Sequence, residues 1–437
     1  MQRGEYLKKA PKLPEQDGDD VRAIVQSMLI DIERGGDETA RAFARKLDQY
    51  EGDLRITAEA IAVAEASLPQ QLKNDIDYAH NNIRRFAEAQ RETIRDIEVV
   101  IADGFIAGQR NIPCETAGCY IPGGRYSHIA SALMTVTTAK VAGCDTIIAC
   151  TPPRPGGGAD PAVIYSANLC GADHILAMGG VQGIAAMAFG LFGLPEANMI
   201  VGPGNQFVAE AKRILFGRVG IDMIAGPTDS LVIADSSADP RVVAVDMVGQ
   251  AEHGYNSPVW LITSDRTLGE EVIRLAPGLI DELPDMNRRN AAAAWRDYAE
   301  VLLCADRDAM AEASDHYAPE HLTVQAEDLD WWLARLRNYG SLFLGEETTV
   351  AYGDKAAGPN HVLPTSRASR YSGGLSVHKF MKTVTWQRAT REGARAIAET
   401  TARISRWEGM EGHARSADIR LNKYFPDSRD KVSGAQN

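Results

Sequence analysis

Residues 199–216, MIVGPGNQFVAEAKRILF, contain the alternation that decides the predicted fold. The apolar run Met199–Val201 predicts a short buried strand, the glycines and proline that follow predict a turn, and Phe207–Phe216 has a helical pattern. The same kind of strand is predicted at Thr146–Cys150, His174–Met178 and Leu231–Ile233. Short strands that alternate with helices predict an α/β fold with parallel sheets, in which ligands bind beyond the strand ends.

The length and charge of the chain limit the classes of protein to which it can belong. At 437 residues it is longer than one hydrophobic core usually supports, so we expect more than one domain. Asp and Glu number 59 against 46 Lys and Arg, and no long basic run is present, which argues against a nucleic-acid partner. The sequence has a charged start and no apolar stretch long enough for a membrane span, so we expect a cytoplasmic protein without a membrane partner.

Three histidine-containing segments offer candidate metal ligands. In 248–254, VGQAEHG, a three-residue step places Gln250 and His253 on one helix face, although a His near a helix C-terminus also interacts with the dipole. The glycine-bearing loop 352–361 carries Asp354, and two glycines flank the His413 segment. These oxygen and nitrogen donors are of the type that zinc accepts, but their spacing alone leaves the site open.

A carboxylate and an imidazole are adjacent at Glu320 and His321, directly after Pro319. Such a pair can direct two proton-transfer groups at one substrate, and a solvated surface loop is the alternative. No Gly-x-Gly-x-x-Gly motif follows a predicted strand, so a dinucleotide is not indicated by motif alone.

The sequence resembles the histidinol dehydrogenase family along nearly its whole length. The resemblance is carried, in order, by AGCYIPGG, GGVQGIAAMAFG, VGPGNQFVAEAK, GQAEHG, APEHL, GDKAAGPNHVLPT and EGMEGH. It implies an NAD-dependent alcohol and aldehyde dehydrogenase with one Zn²⁺ per subunit, acting as a homodimer with shared active sites. The architecture that we expect is two interleaved Rossmann-like domains with parallel sheets, the first from 1–112 and 232–375 and the second from 113–231, with a helical C-terminal tail over 376–437 that is exchanged between subunits.

The resemblance also assigns roles to individual residues. The acid/base pair falls on Glu320 and His321, and the partner subunit is expected to supply one zinc ligand, His413. The other three zinc ligands fall on Gln250, His253 and Asp354, the NAD contacts on Tyr120, Gln182 and Asn205, and substrate contacts on Thr228, His361 and Glu408.

Departures from histidinol-specific enzymes indicate a different substrate. The segment after His361 is cationic, with Arg367, Arg370, His378 and Lys379. Guanidinium groups match the oxygens of a sulfonate or carboxylate, so the substrate is expected to be a small anionic alcohol. This pattern looks like the branch of the family that oxidises (R)-2,3-dihydroxypropane-1-sulfonate to 3-sulfolactate, with Arg370 and then Arg367 as the expected sulfonate contacts.

Three alternatives remain open from the sequence. The arginines could belong to a solvated loop or a dimer contact. The substrate could be L-histidinol, oxidised to L-histidine. The chain could also be a non-catalytic zinc-binding dimer, although Glu320, His321 and His361 are all present.

Overall fold

The computed structural model describes residues 4–12, 19–123, 127–154, 157–224 and 226–426. The chain forms two compact units, which we call unit 1 (Met1–Arg91 and Pro113–Phe380) and unit 2 (Glu92–Ile112 and Met381–Asn437). The strands within the described residues are β1 (Glu5–Lys8), β2 (Ile97–Ala102), β3 (Phe105–Pro113), β4 (Thr116–Tyr120), β5 (Thr146–Thr151), β6 (His174–Ala177), β7 (Met199–Val201), β8 (Gly220–Ile221), β9 (Ser230–Ala234), β10 (Val259–Thr263), β11 (Glu300–Leu303), β12 (His321–Gln325), β13 (Ser341–Leu344) and β14 (Met381–Ala389).

Unit 1 contains two parallel sheets. The first, which we call sheet A, has the order β1-β11-β10-β9-β12-β13, and only its edge strand β1 is antiparallel to its neighbour. The second, sheet B, has the order β6-β5-β4-β7-β8 and is parallel throughout. In both sheets the central strands are almost completely buried, as expected when helices cover the two faces. The predicted α/β fold with parallel sheets is therefore confirmed.

Apolar helix faces complete the cores on these sheets. Helices α1, α6 and α7 share a core with sheet B, and α8, α9 and α10 share one with sheet A. In the described part of the chain no helix is both long and apolar enough to cross a membrane. The helices are α1 (Asp19–Phe43), α2 (Ala58–Ser67), α3 (Gln70–Glu92), α4 (Ile129–Ala142), α5 (Pro161–Leu169), α6 (Gly180–Ala188), α7 (Gln206–Leu215), α8 (Pro240–Ala251), α9 (Arg266–Asp281), α10 (Asp285–Tyr298), α11 (Arg307–Tyr317), α12 (Leu329–Arg335), α13 (Val350–Gly353), α14 (Arg391–Trp407) and α15 (Glu411–Tyr424), with a π-helix at Ala44–Asp48 and 3-10 turns at Ala368–Arg370 and Val377–Phe380.

Unit 2 is a small sheet followed by a helical pair. Its strand order is β14-β3-β2, with β2 and β3 antiparallel. Helices α14 and α15 pack on each other around Ala398, Ala402 and Ala417. The helical character predicted for the C-terminal region agrees with these two helices.

One sequence-based boundary agrees with the structure and another is wrong. The apolar stripe that includes Val25, Leu29 and Ile32 predicts a helix that ends at Gly35-Gly36, and the backbone of Gly36 is indeed non-helical, with a φ of 59°. A second helical segment then continues α1 to Phe43. The polar composition of residues 317–378 predicts a loop region, but this prediction is wrong, because the stretch contains β12, α12, β13 and α13. Strand β12 is buried along its whole length, so its short, partly polar sequence concealed a central strand.

A buried ion pair holds the turn that follows β7. Lys212 on α7 donates to the Asp222 carboxylate and, at 2.9 Å, to Gly202 O, while Asp222 accepts from Gly202 N at 2.7 Å. Gly202 has a φ of 111°, and a Cβ there would lie 2.0 Å from Tyr120 O, so only glycine lets this turn approach β4. The pair thus fixes Gly202 against the end of β4.

Removing the buried cation is expected to destabilise unit 1. Lys212→Met leaves the Asp222 charge without its partner, and we expect the free energy of unfolding to fall by about 3–5 kcal/mol. Urea unfolding followed by tryptophan fluorescence measures this loss. Arg84→Ala, which removes the exposed pair Arg84–Glu88, is the control and should change stability by no more than about 0.5 kcal/mol. Equal small losses in both variants would contradict the structural role of Lys212.

Candidate active site

A cavity of about 680 Å³ in unit 1 collects most of the predicted catalytic side chains. It lies beyond the carboxyl ends of β4 and β7 in sheet B and the amino ends of β9, β10 and β12 in sheet A. Its lining includes Pro122, Ser127, His128, Ser131, Pro203, Gly204, Gly226, Pro227, Thr228, Glu252, His253, Gly254, Asn256, Ser257, Asn287, Glu320, His321, Asp354, Lys355, His361, Leu363 and Thr365.

Glu320 and His321 lie at the buried start of β12. They are 6% and 3% exposed, so they do not form the solvated surface loop that the sequence left open. His321 Nδ1 is 3.7 Å from Glu320 Oε2, and His321 Nε2 is 3.6 Å from Asp354 Oδ1. Neither ring nitrogen has a hydrogen-bond partner in the structure, so both are available to a ligand in the cavity.

Asp229 connects the amino ends of β9 and β12. Its carboxylate accepts from Glu320 N at 2.7 Å and from Ser366 N at 3.0 Å, and Asp229 N donates to Glu320 Oε2 at 3.3 Å. His321 N also donates to Asp229 O at 3.2 Å. These bonds fix the backbone and carboxylate of Glu320 in one position. The sequence analysis did not assign Asp229 a role, because its partner is 91 residues away.

Burial and mutual charge shift the pKa values of this group. Burial raises the pKa of Glu320 and, despite the two N–H donors, raises that of Asp229 to about 6. For His321, burial would lower the pKa, but the carboxylates of Glu320 and Asp354 outweigh it and raise the pKa. Burial likewise opposes ionisation of Asp354, yet His321 and other nearby imidazoles lower its pKa to about 2. The site therefore has an anionic Asp354 and a pair able to hold and release protons.

The predicted metal ligands of unit 1 supply suitable donors. His253 Nε2 is 3.9 Å from Asp354 Oδ2, beyond hydrogen-bond distance. Gln250, on α8, has a buried Oε1 with no hydrogen-bond partner in the structure, which is costly unless a ligand uses it. Within the described ranges, no three His, Cys, Asp or Glu side chains are grouped closely enough to hold a metal ion. Gln250, His253 and Asp354 thus offer donors of the kind that zinc accepts.

His361 and Thr228 both line the cavity, as the sequence analysis expected of substrate contacts. His361 Nδ1 lies 3.0 Å from Asp354 O, which can only accept, so this nitrogen carries the proton. Burial lowers the pKa of His361, so its Nε2 accepts from the Ser131 hydroxyl at 3.0 Å. The ring is therefore held in one tautomer.

The three predicted NAD contacts lie near the carboxyl ends of sheet B strands, outside the cavity lining. Tyr120 Oη accepts from Gly180 N at 3.0 Å. Gln182, 1% exposed, donates to Asp48 at 2.9 Å, and its Oε1 has no hydrogen-bond partner in the structure. Asn205 caps α7 by accepting from two backbone N–H groups. The sequence analysis missed Asp48, which belongs to a distant N-terminal segment.

Five other predicted residues do not line the cavity: Gln250, which is buried on α8, and four exposed residues. Arg367 and Arg370 are both exposed, and Arg367 Nη2 lies 3.4 Å from His316 Nδ1 on α11. Glu408 and His413 are exposed residues of unit 2, at the end of α14 and the start of α15. Conversely, Lys355 and His128 line the cavity although the sequence analysis gave them no role.

Comparison with known proteins identifies the family of the chain. The family model for histidinol dehydrogenase matches residues 12–421. The chain is 67% identical over 423 residues to sulfopropanediol 3-dehydrogenase from Ruegeria pomeroyi, covering 97% of each protein, and 39% identical over 400 residues to histidinol dehydrogenase from Thermus thermophilus, covering 92% and 94%. The crystal structure of histidinol dehydrogenase from Elizabethkingia anophelis is similar with a TM-score of 0.89 and 33% identity, covering 94% of both chains. The chain therefore belongs to the histidinol dehydrogenase family and is a dehydrogenase.

Proposed function

We propose that this dehydrogenase oxidises (R)-2,3-dihydroxypropane-1-sulfonate to (R)-3-sulfolactate with two NAD and a zinc ion, in the catabolism of organosulfonates. The observation that carries the proposal is the 67% identity, along 97% of both chains, with a protein named sulfopropanediol 3-dehydrogenase. The buried Glu320–His321 pair beside Asp354 supports the chemistry, because a four-electron oxidation needs both a base for the alcohol and a base for water.

The residues of unit 1 fit the cofactors that this family implies. Gln250, His253 and Asp354 would hold zinc, since an amide oxygen, an imidazole and a carboxylate are all donors that it accepts. Tyr120, Gln182 and Asn205 are proposed to contact NAD near the carboxyl ends of sheet B, where ligands of parallel sheets bind. When bound, zinc supplies a Lewis acid for the alcohol oxygen and NAD supplies the hydride acceptor.

The protein side chains would move the protons in both oxidations. In the first, His321 accepts the hydroxyl proton at Nε2, the nitrogen that faces Asp354, as the terminal carbon loses a hydride. Glu320 then accepts a proton from water, which adds to the aldehyde, and the resulting hydrate loses the second hydride. The sum consumes one alcohol, one water and two NAD+ and gives one carboxylate, two NADH and three protons. Asp229 acts as a positioning residue, because its backbone bonds fix Glu320.

Thr228, His361 and Glu408 are proposed substrate contacts. Thr228 and His361 line the cavity, and the bonds to Ser131 and Asp354 O hold the His361 ring in one orientation there. A sulfonate also needs a cation, and Arg367 and Arg370 are the candidates that the sequence indicates.

We infer that the chain is a homodimer whose subunits share active sites. His413, the fourth zinc ligand, and Glu408 would come from the partner, which is consistent with their exposure in unit 2. Unit 2 also exposes a large apolar surface, which is typical of an interface. Its exposed apolar side chains include Ile97, Val99, Val100, Ile101, Ile404, Trp407 and Ile419, with Trp407 94% exposed.

Three further sequence-based predictions remain proposals. The two Rossmann-like domains (1–112 with 232–375, and 113–231) are supported by strand order, because β9–β13 in sheet A and β4–β8 in sheet B both follow the order 3-2-1-4-5 in which dinucleotide-binding sheets begin. The exposure of Glu408 and His413 in unit 2, from which the homodimer is inferred, also supports an exchange of the tail 376–437 between subunits. A cytoplasmic location is consistent with the acidic composition.

The second candidate substrate is L-histidinol. Its support is the 39% identity with the Thermus thermophilus histidinol dehydrogenase over nearly the whole chain. A non-catalytic zinc-binding dimer is disfavoured, because the chain belongs to a dehydrogenase family and retains the buried Glu320–His321 pair.

The substrate assignment predicts a strong preference between the two alcohols. We expect kcat/KM for dihydroxypropanesulfonate to exceed that for L-histidinol by at least about 100-fold, because a site built for an anion leaves polar groups unpaired with histidinol. NADH absorbance with the zinc-loaded protein measures both values. The reverse preference would contradict the proposal and assign the protein to histidinol oxidation.

The shared site predicts complementation between two inactive variants. His253→Ala and His413→Ala should each abolish activity and lower the zinc content. When the two chains are co-expressed, a mixed dimer regains one site with all ligands, so about a quarter of wild-type activity is expected for random pairing. Each variant purified alone is the control. No recovery in verified mixed dimers would contradict a ligand from the partner.

A further inference from the structure

Lys355 is the only lysine or arginine among the described residues that line the active-site cavity. It directly follows Asp354, whose carboxylate lies within 4 Å of both His253 and His321. The other formally charged residues of the lining, Glu252, Glu320 and Asp354, are acidic. A negatively charged substrate group in this cavity therefore needs the Lys355 ammonium, or another positive partner, to offset repulsion from carboxylates.

His361 is a poor substitute for that cation. Both of its ring nitrogens are already engaged, with Asp354 O and with the Ser131 hydroxyl, so the ring has no free N–H to donate to a sulfonate.

The two arginines that the sequence favoured are located elsewhere. Arg367 is in the left-handed region at φ 68° and its guanidinium lies beside His316 on α11. Arg370 ends a 3-10 turn and is exposed. Neither belongs to the cavity lining, whereas Lys355 does.

We propose that Lys355 is the specificity-determining residue that binds the sulfonate of the substrate. This inference rests on the proposed function, which it deepens by assigning the anionic subsite to one side chain. Lys355 directly follows Asp354, which lies beside His253 and His321. Its flexible four-carbon stem lets the ammonium bind one end of a short substrate while the other end lies beside these groups. One end of a three-carbon substrate is then held by charge while its terminal CH2OH reaches His321.

The start of α4 also favours an anion in the cavity. This 14-residue helix begins at Ile129, and Ser127, His128 and Ser131 at its amino end line the cavity. The amino end of a helix carries a partial positive charge. This partial charge has the same sign as the Lys355 ammonium, so both favour the binding of an anion.

The test compares Lys355→Met, Lys355→Arg and, as the rival, Arg370→Met. Lys382→Met, an exposed lysine of unit 2, controls for loss of one positive charge. Each variant is assayed with dihydroxypropanesulfonate, with glycerol as the uncharged analogue, and with propane-1-sulfonate as an inhibitor that has the sulfonate but no alcohol. Zinc content is measured in parallel, because Lys355 adjoins the ligand Asp354.

We expect Lys355→Met to raise KM for the sulfonate and Ki for propane-1-sulfonate by about 10- to 100-fold, the effect of losing one charge-assisted bond. Its kcat, glycerol activity and zinc content should stay close to wild type, and Lys355→Arg should recover most of the affinity. Unchanged KM and Ki in Lys355→Met, or a rise found in Arg370→Met instead, would overturn the assignment and leave the proposed function intact. Parallel losses with sulfonate and glycerol would also overturn it. A wild-type protein that does not oxidise the sulfonate would refute the proposed function itself.

Discussion

The active site depends on the burial of two adjacent titratable side chains, Glu320 and His321, at the start of the central strand β12. Burying a charge without compensation costs several kcal/mol, so the surrounding groups must stabilise it. Asp354 faces one side of the imidazole and Glu320 the other, while Asp229 accepts the backbone N–H of Glu320. Because β9 and β12 are hydrogen-bonded neighbours, the hydrogen bonds between Asp229 and Glu320 follow directly from the strand order of sheet A.

The position of the cavity follows from the same topology. Sheet B presents the carboxyl ends of β4 and β7, which is the usual ligand-binding edge of a parallel sheet. Sheet A presents the amino ends of its strands, so Glu320 and His321 precede and begin a strand instead of following one. In the proposed function, the edge of sheet B would hold the cofactor and the edge of sheet A would supply proton transfer. The buried Lys212–Asp222 pair fixes the sheet B edge, and the Asp229 bonds fix the sheet A edge.

The sequence predicted the fold class and much of the site, for physical reasons that differ between residues. Alternating apolar runs indicated parallel strands because such strands are buried on both faces. Family motifs indicated His253, Glu320, His321, Asp354 and His361, and the structure brings all five to one cavity. Long-range pairing could not be predicted, which is why Asp229 and Asp48 were missed. The cationic segment indicated Arg367 and Arg370 as the sulfonate contacts; in the structure Arg367 Nη2 lies beside His316, whereas Lys355 is the lysine that lines the cavity among the described residues.

The central claim is that one buried site carries out two successive oxidations of one substrate. The most direct measurement is the number of NADH formed per dihydroxypropanesulfonate consumed by the zinc-loaded protein, with the product identified by mass spectrometry. The account predicts two NADH per substrate and sulfolactate as the sole product, because Glu320 activates water without release of the aldehyde. One NADH per substrate, with free aldehyde in solution, would contradict it.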